Sequence, residues 1–122
     1  MEREHEEAMR TEFTECVELW RATEPSEVSQ ADYNKAHDAI DRIDHRWQTG
    51  PHAEHWHYLN DAFEDWRRNP QTMRRFLDGV SYDRASGNHD GMTDTQYRSQ
   101  LQARDVTEAQ RARQRERSPR YR

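Results

Sequence analysis

Residues 31–68 read ADYNKAHDAIDRIDHRWQTGPHAEHWHYLNDAFEDWRR. Within this stretch Tyr33, Ala36, Ile40, Ile43 and Trp47 step by three and four, and so do Trp56, Leu59, Phe63 and Trp66. That spacing puts side chains on one face of an α-helix. Between the two stripes, Thr49-Gly50-Pro51 supplies a helix stop and then a helix start. The stretch predicts an antiparallel helical hairpin, with Trp56, Phe63 and Trp66 packed against Ile40, Ile43 and Trp47.

Working outward, residues 2–23 read as a helix with Met9, Phe13, Cys16, Val17 and Trp20 on one face. Its four Glu in the first seven residues suit the positive end of the helix dipole. Glu24-Pro25 ends it, because the residue before Pro is pushed out of the helical region. Ser26 and Ser29 are both candidate N-caps for the next helix, and Ser29 has Asp32 three residues on. After Asn69-Pro70, a short helix is predicted from Thr72 to Asp78, with Met73, Phe76 and Leu77 as its apolar side, Gly79 as its stop, and Val80 folding back. Ser86-Gly87-Asn88 and Asp90-Gly91 are turn signals that mark a linker over 81–93. From Asp94 to Arg117 the helical propensity is high, yet only Tyr97, Leu101 and Val106 offer apolar surface. A helix there would be polar nearly all round. The expectation is an all-α chain: a small three- to four-helix bundle over 1–80, the linker 81–93, and a polar, partly extended C-terminal helical arm over 94–122.

The supply of apolar side chains is thin. Of 122 residues, 31% are hydrophobic and 35% charged, and Leu, Ile, Val and Phe together number 13. Eleven of those 13 and all four Trp fall between Phe13 and Val80, which places a folded body there. A Trp buries on the order of 200 Å², so a few can replace many Leu. A core of this size is marginal on its own, and self-association or a partner would add burial. No apolar run approaches the roughly 18 residues a membrane span needs. The charged N-terminus, Met1 to Glu7, is unlike a secretory signal, so a cytoplasmic location and no membrane are expected.

Charge divides unevenly. Residues 111–122 carry six Arg and one Glu, a balance of +5, which leaves −10 for residues 1–110 within the total of −5. Arg111, Arg113, Arg115, Arg117, Arg120 and Arg122 are therefore candidates for contact with nucleic-acid phosphates. The acidic body would repel the same phosphates. Its acids are interleaved with Arg rather than set in unbroken rows, which argues against imitation of a nucleic acid.

Chemistry-bearing motifs are few. Seven His include His52, His55 and His57 in one short stretch. His52 and His55 have helical i,i+3 spacing, and His57 with Asp61 is an i,i+4 pair, as metal ligands on a helix require. Glu54 and His57 form a single Glu-x-x-His, where a carboxylate-bridged di-metal bundle uses two. Glu54 and His57 lie off the apolar stripe and are expected to face outward. His52, His55, His57 and Asp61 are weak metal candidates, and no cofactor is expected. The lone Cys16 excludes an internal disulfide. His5 precedes it in the same helix by eleven residues, roughly 16 Å along the axis, too far for a hydrogen-bonded dyad. There is no nucleophile elbow and no Gly-rich phosphate loop.

Aromatic residues and Arg are enriched at binding hot spots. Trp20, Tyr58, Arg67, Arg68, Tyr97 and Leu101 are accordingly the expected contacts with another protein or a second copy. The leading expectation is a non-enzymatic interaction module, an adaptor or regulator. A nucleic-acid-associated factor anchored by its Arg-rich tail is the alternative, and a metal-binding bundle enzyme the third reading.

Overall fold

A computed structural model describes residues 1–89 and 91–117. It contains α1 (Arg3–Ala22), α2 (Gln30–Gln48), α3 (Ala53–Arg68), α4 (Pro70–Ala85) and α5 (Asp94–Arg117). No strand occurs among the described residues. The chain is all-α, in the helical-bundle class that the stripes predict. It divides into two compact units, Met1–His57 and Tyr58–Arg122, so the division falls inside α3 rather than near the linker expected over 81–93. Among the described residues no helix is long and apolar enough to cross a membrane.

The first unit pairs α1 with α2. Ser29 is the N-cap of α2, and its hydroxyl accepts from the Asp32 N–H at 3.1 Å. Met9, Phe13, Cys16 and Val17 of α1 are buried, as are Ala36, Ile40 and Ile43 of α2. Trp56, on the first turn of α3, joins them: Phe13 meets it edge-on, with ring centroids 6.0 Å apart and planes at 79°. Its indole N–H donates to Asp44 Oδ1 at 2.8 Å, satisfying the one polar atom that burial would otherwise strand. Trp47 meets Trp56 as the stripes predict but is less buried than expected. It is half-buried and stacks on Trp56, with centroids 5.7 Å apart and planes at 13°. Tyr33 leaves the stripe: it is exposed and lies against the His37 ring on its own helix. Charged groups finish the unit. Buried Glu6 pairs with Arg10 at 2.9 Å, and Arg46 pairs with Glu12 across the two helices.

In the second unit Leu59, Ala62, Phe63 and Trp66 of α3 are buried together with Leu77 of α4. Helix α4 is much longer than the predicted Thr72–Asp78 and runs through Gly79 to Ala85. Gly79 keeps a negative φ and does not break the helix; the stop is Gly87, whose φ is +93°. There the Gly87 N–H bonds to Arg84 O at 3.0 Å and the Asn88 N–H to Asp83 O at 2.8 Å. This is the Schellman pattern, which needs a residue tolerant of left-handed backbone at the position after the cap.

Helix α5 opens with a reciprocal cap: the Gln96 N–H donates to Thr93 Oγ1, and the Thr93 N–H to Gln96 Oε1, both at 3.1 Å. It is not the solvated arm the composition suggests. Ser99, Gln100, Ala103 and Thr107 are buried at helical spacing. The physical reason is twofold. Small side chains let the helix approach its neighbours closely, and the buried polar atoms find partners. Thr107 bonds back to Ala103 O and Arg104 O at 3.0 Å. Gln100 accepts from the Trp66 indole N–H at 2.9 Å and donates to Tyr58 Oη at 3.0 Å.

Candidate functional site

A hollow of the second unit that can receive another molecule lies where α4 ends and the chain turns towards α5. Here a cavity of about 150 Å³ is lined chiefly by Phe76, Val80, Asp83, Arg84 and Met92, together with the turn residues 88, 89 and 91. Two apolar pairs on α4 explain it. Leu77, with Met73 one turn earlier, points into the protein, and Leu77 is buried. Phe76 and Val80 form a second i,i+4 pair on an adjacent face. That pair lines the cavity, and Phe76 is 45% exposed.

Arg84 fixes the opposite wall. Its guanidinium donates to Met92 O at 3.4 Å, pairs with Asp94, and lies 4.4 Å from the centre of the Tyr97 ring. Tyr97 is tied back to α4 by a 2.9 Å hydrogen bond between its hydroxyl and Ser81 Oγ. The hydrogen bond and charge of Arg84 hold the Asp94 carboxyl below the ordinary carboxylate range. With Arg84 committed in this way, the cavity presents mainly the Phe76 ring, Val80 and buried Met92 to an incoming group. Such a surface is suited to one apolar side chain of a partner, with Asp83 and Asn88 as polar members of the lining.

The expected partner contacts are dispersed. Trp20 is 36% exposed near the end of α1 in the first unit. Tyr58 is half-buried and engaged by Gln100. Arg67 and Arg68 are exposed and both pair with Glu64, at 3.0 and 3.3 Å. Tyr97 is held beneath Arg84, and Leu101 is half-buried on α5. Periodicity marked Phe76 and Val80 as apolar; nothing in the spacing signalled that Met92 would return to meet them.

The Arg series is likewise divided. Arg111 is bound to the protein itself: its Nη2 donates to Trp66 O at 3.0 Å and Arg67 O at 3.2 Å. It thus caps the last carbonyls of α3, where a cation also suits the helix dipole. Arg113 is half-buried and Arg115 exposed. Arg120 and Arg122, like the side chain of Arg117 and the Asp90 turn residue, lie outside the described residues.

The metal candidates do not converge. His57 and Asp61 are exposed on α3, and among the described residues no three His, Cys, Asp or Glu side chains group so as to hold a metal ion. His52 turns instead to His5 of α1. Cys16 is no nucleophile: burial first, then the nearby Asp44 and Glu15 carboxylates, push its thiol up to about 12.

No protein family, curated protein or solved structure gives a significant match to this chain.

Proposed function

We propose that this chain is a non-enzymatic interaction module that docks on a partner protein through the α4 cavity. The observation that carries the reading is the preformed, partly apolar cavity beside a large exposed ring, Phe76. A ring left 45% accessible next to an open hollow lacks the burial it could have with an inserted apolar group. The clamp of Arg84 on Met92, Asp94 and Tyr97 holds the walls in place before binding, which lowers the ordering cost of association. Self-association through the same face is the homotypic form of this reading.

The nucleic-acid reading draws on fewer groups than the sequence offers, because Arg111 is already occupied by the carbonyls of α3. Removal of residues 111–122 followed by binding measurements with DNA and RNA at two salt concentrations separates the readings. Salt-sensitive binding lost with the tail favours nucleic acid.

The direct experiment is quantitative affinity capture, from the cells that make the protein, with the native chain and Phe76→Glu as parallel baits. Phe76→Glu should keep the native circular dichroism spectrum and lose a specific partner, with competition by the unlabelled native chain. An unchanged partner set, or a rigid monomer that captures nothing specific, would overturn the proposal.

A further inference from the structure

A second cluster, independent of the docking surface, lies in the first unit. His5 sits in the first turn of α1, and His52 lies just before α3, where its carbonyl accepts from the Trp56 N–H at 3.1 Å. The two rings meet with centroids 4.8 Å apart and planes at 41°. His52 Nε2 stands 3.2 Å from His5 Nδ1. The next nearest rings to His52 are those of His55 at 6.3 Å and Trp47 at 6.4 Å.

The nitrogen separation has a second meaning besides a hydrogen bond. Zinc holds imidazole nitrogens at about 2.0–2.1 Å in tetrahedral geometry, so two such ligands on one ion stand about 3.3 Å apart. The pair therefore already has the bite of a chelate. In the hydrogen-bonded state one of the facing nitrogens carries a proton; the other tautomer of that ring moves the proton to its far nitrogen and leaves a lone pair on each facing nitrogen.

We propose that His5 and His52 chelate a single transition-metal dication of the zinc type, through His5 Nδ1 and His52 Nε2, with water filling the remaining positions. Imidazole donors select zinc, nickel or copper over magnesium and calcium, which demand oxygen. A ligand must be deprotonated at its binding nitrogen. The ion ties the start of α1 to the start of α3, segments far apart in sequence. His57 and Asp61, exposed further along α3, take no part.

The test uses the full chain, made without a His-tag and stripped with a chelator. Zinc chloride is added in a calorimeter, and thermal melts are followed by circular dichroism with zinc or with magnesium. One zinc ion should bind per chain, the melting temperature should rise with zinc and not with magnesium, and His57→Gln should leave both results unchanged. His5→Gln and His52→Gln should each weaken binding by at least about tenfold, as expected when one of two protein ligands is lost. Both are surface side chains, so the variants should fold; if either does not, zinc-dependent shifts of the His5 and His52 ring resonances in the native chain report the ligands directly. No saturable binding, binding that survives His5→Gln, or ring shifts confined to other histidines would overturn the assignment.

Discussion

The two compact units are held together by different means. In the first, rings meet rings: Phe13 on the edge of Trp56, and Trp47 on its face. In the second, a polar side chain lies at the centre, with Gln100 joining Trp66 to Tyr58. The contrast shows that a helix is excluded from a core by unpartnered polar atoms, not by polarity itself. When every buried donor and acceptor has a mate, a Gln or Thr can occupy an interior position that composition would assign to Leu.

The largest expected effect breaks the first side of the contrast. Phe13 is 1% exposed and meets the Trp56 ring, so Phe13→Ala should cost about 3–5 kcal/mol, measured by urea denaturation. A loss below about 1 kcal/mol would mean the ring stack does not anchor that unit.

Next comes the polar hub. Gln100→Leu adds an apolar group yet strands the Trp66 N–H, and should destabilise by about 1–3 kcal/mol. The double variant Gln100→Leu with Trp66→Phe removes donor and acceptor together and should recover part of that loss, with the recovery read from a double-mutant cycle. Strict additivity would show that the hydrogen bond contributes nothing of its own.

Arg111→Ala should cost about 0.5–1 kcal/mol through lost capping of α3, whereas Arg115→Ala should stay within about 0.5 kcal/mol. Equal effects at both positions would return Arg111 to the solvated tail.

The smallest effects are in pH, and the two units should weaken at opposite ends of the scale. The Cys16 thiol is raised from 9.0 to about 12, so the folded chain keeps a proton that the unfolded chain releases. Its contribution is complete below pH 9.0 and is lost as pH rises towards 12, with iodoacetamide labelling slow in the native state and fast on unfolding. The Asp94 carboxyl is lowered from 3.8, so its contribution is present above that value and fades as pH falls beneath it. Nuclear magnetic resonance of Tyr97, which lies under the same Arg84, should register the loosened clamp, and Asp94→Asn should remove the acid response.

Much of the first unit was legible. The 3–4 spacing found the buried faces of α1 and α2, and Ser29 was readable as a cap because its hydroxyl needs only local geometry. The same spacing brings Trp47 onto Trp56, but its half-exposure is not legible, because periodicity assigns a face and says nothing about how completely it is covered. In the second unit α4 was cut short at Gly79, although only Gly87 adopts the backbone that requires glycine. The burial of α5 was hidden because small and polar residues carry it. The cavity depends on Met92 returning to α4, and the histidine pair on positions 5 and 52 meeting; both are consequences of tertiary closure, invisible to any short window of sequence.

The passage from one unit to the other runs through the body of α3, between His57 and Tyr58. A scission there would leave five and eleven residues of a sixteen-residue helix on either side. Fragments so short rarely hold helical form in water. Each half, expressed separately, should therefore lose α3 helicity at its cut end, read as weakened far-ultraviolet circular dichroism.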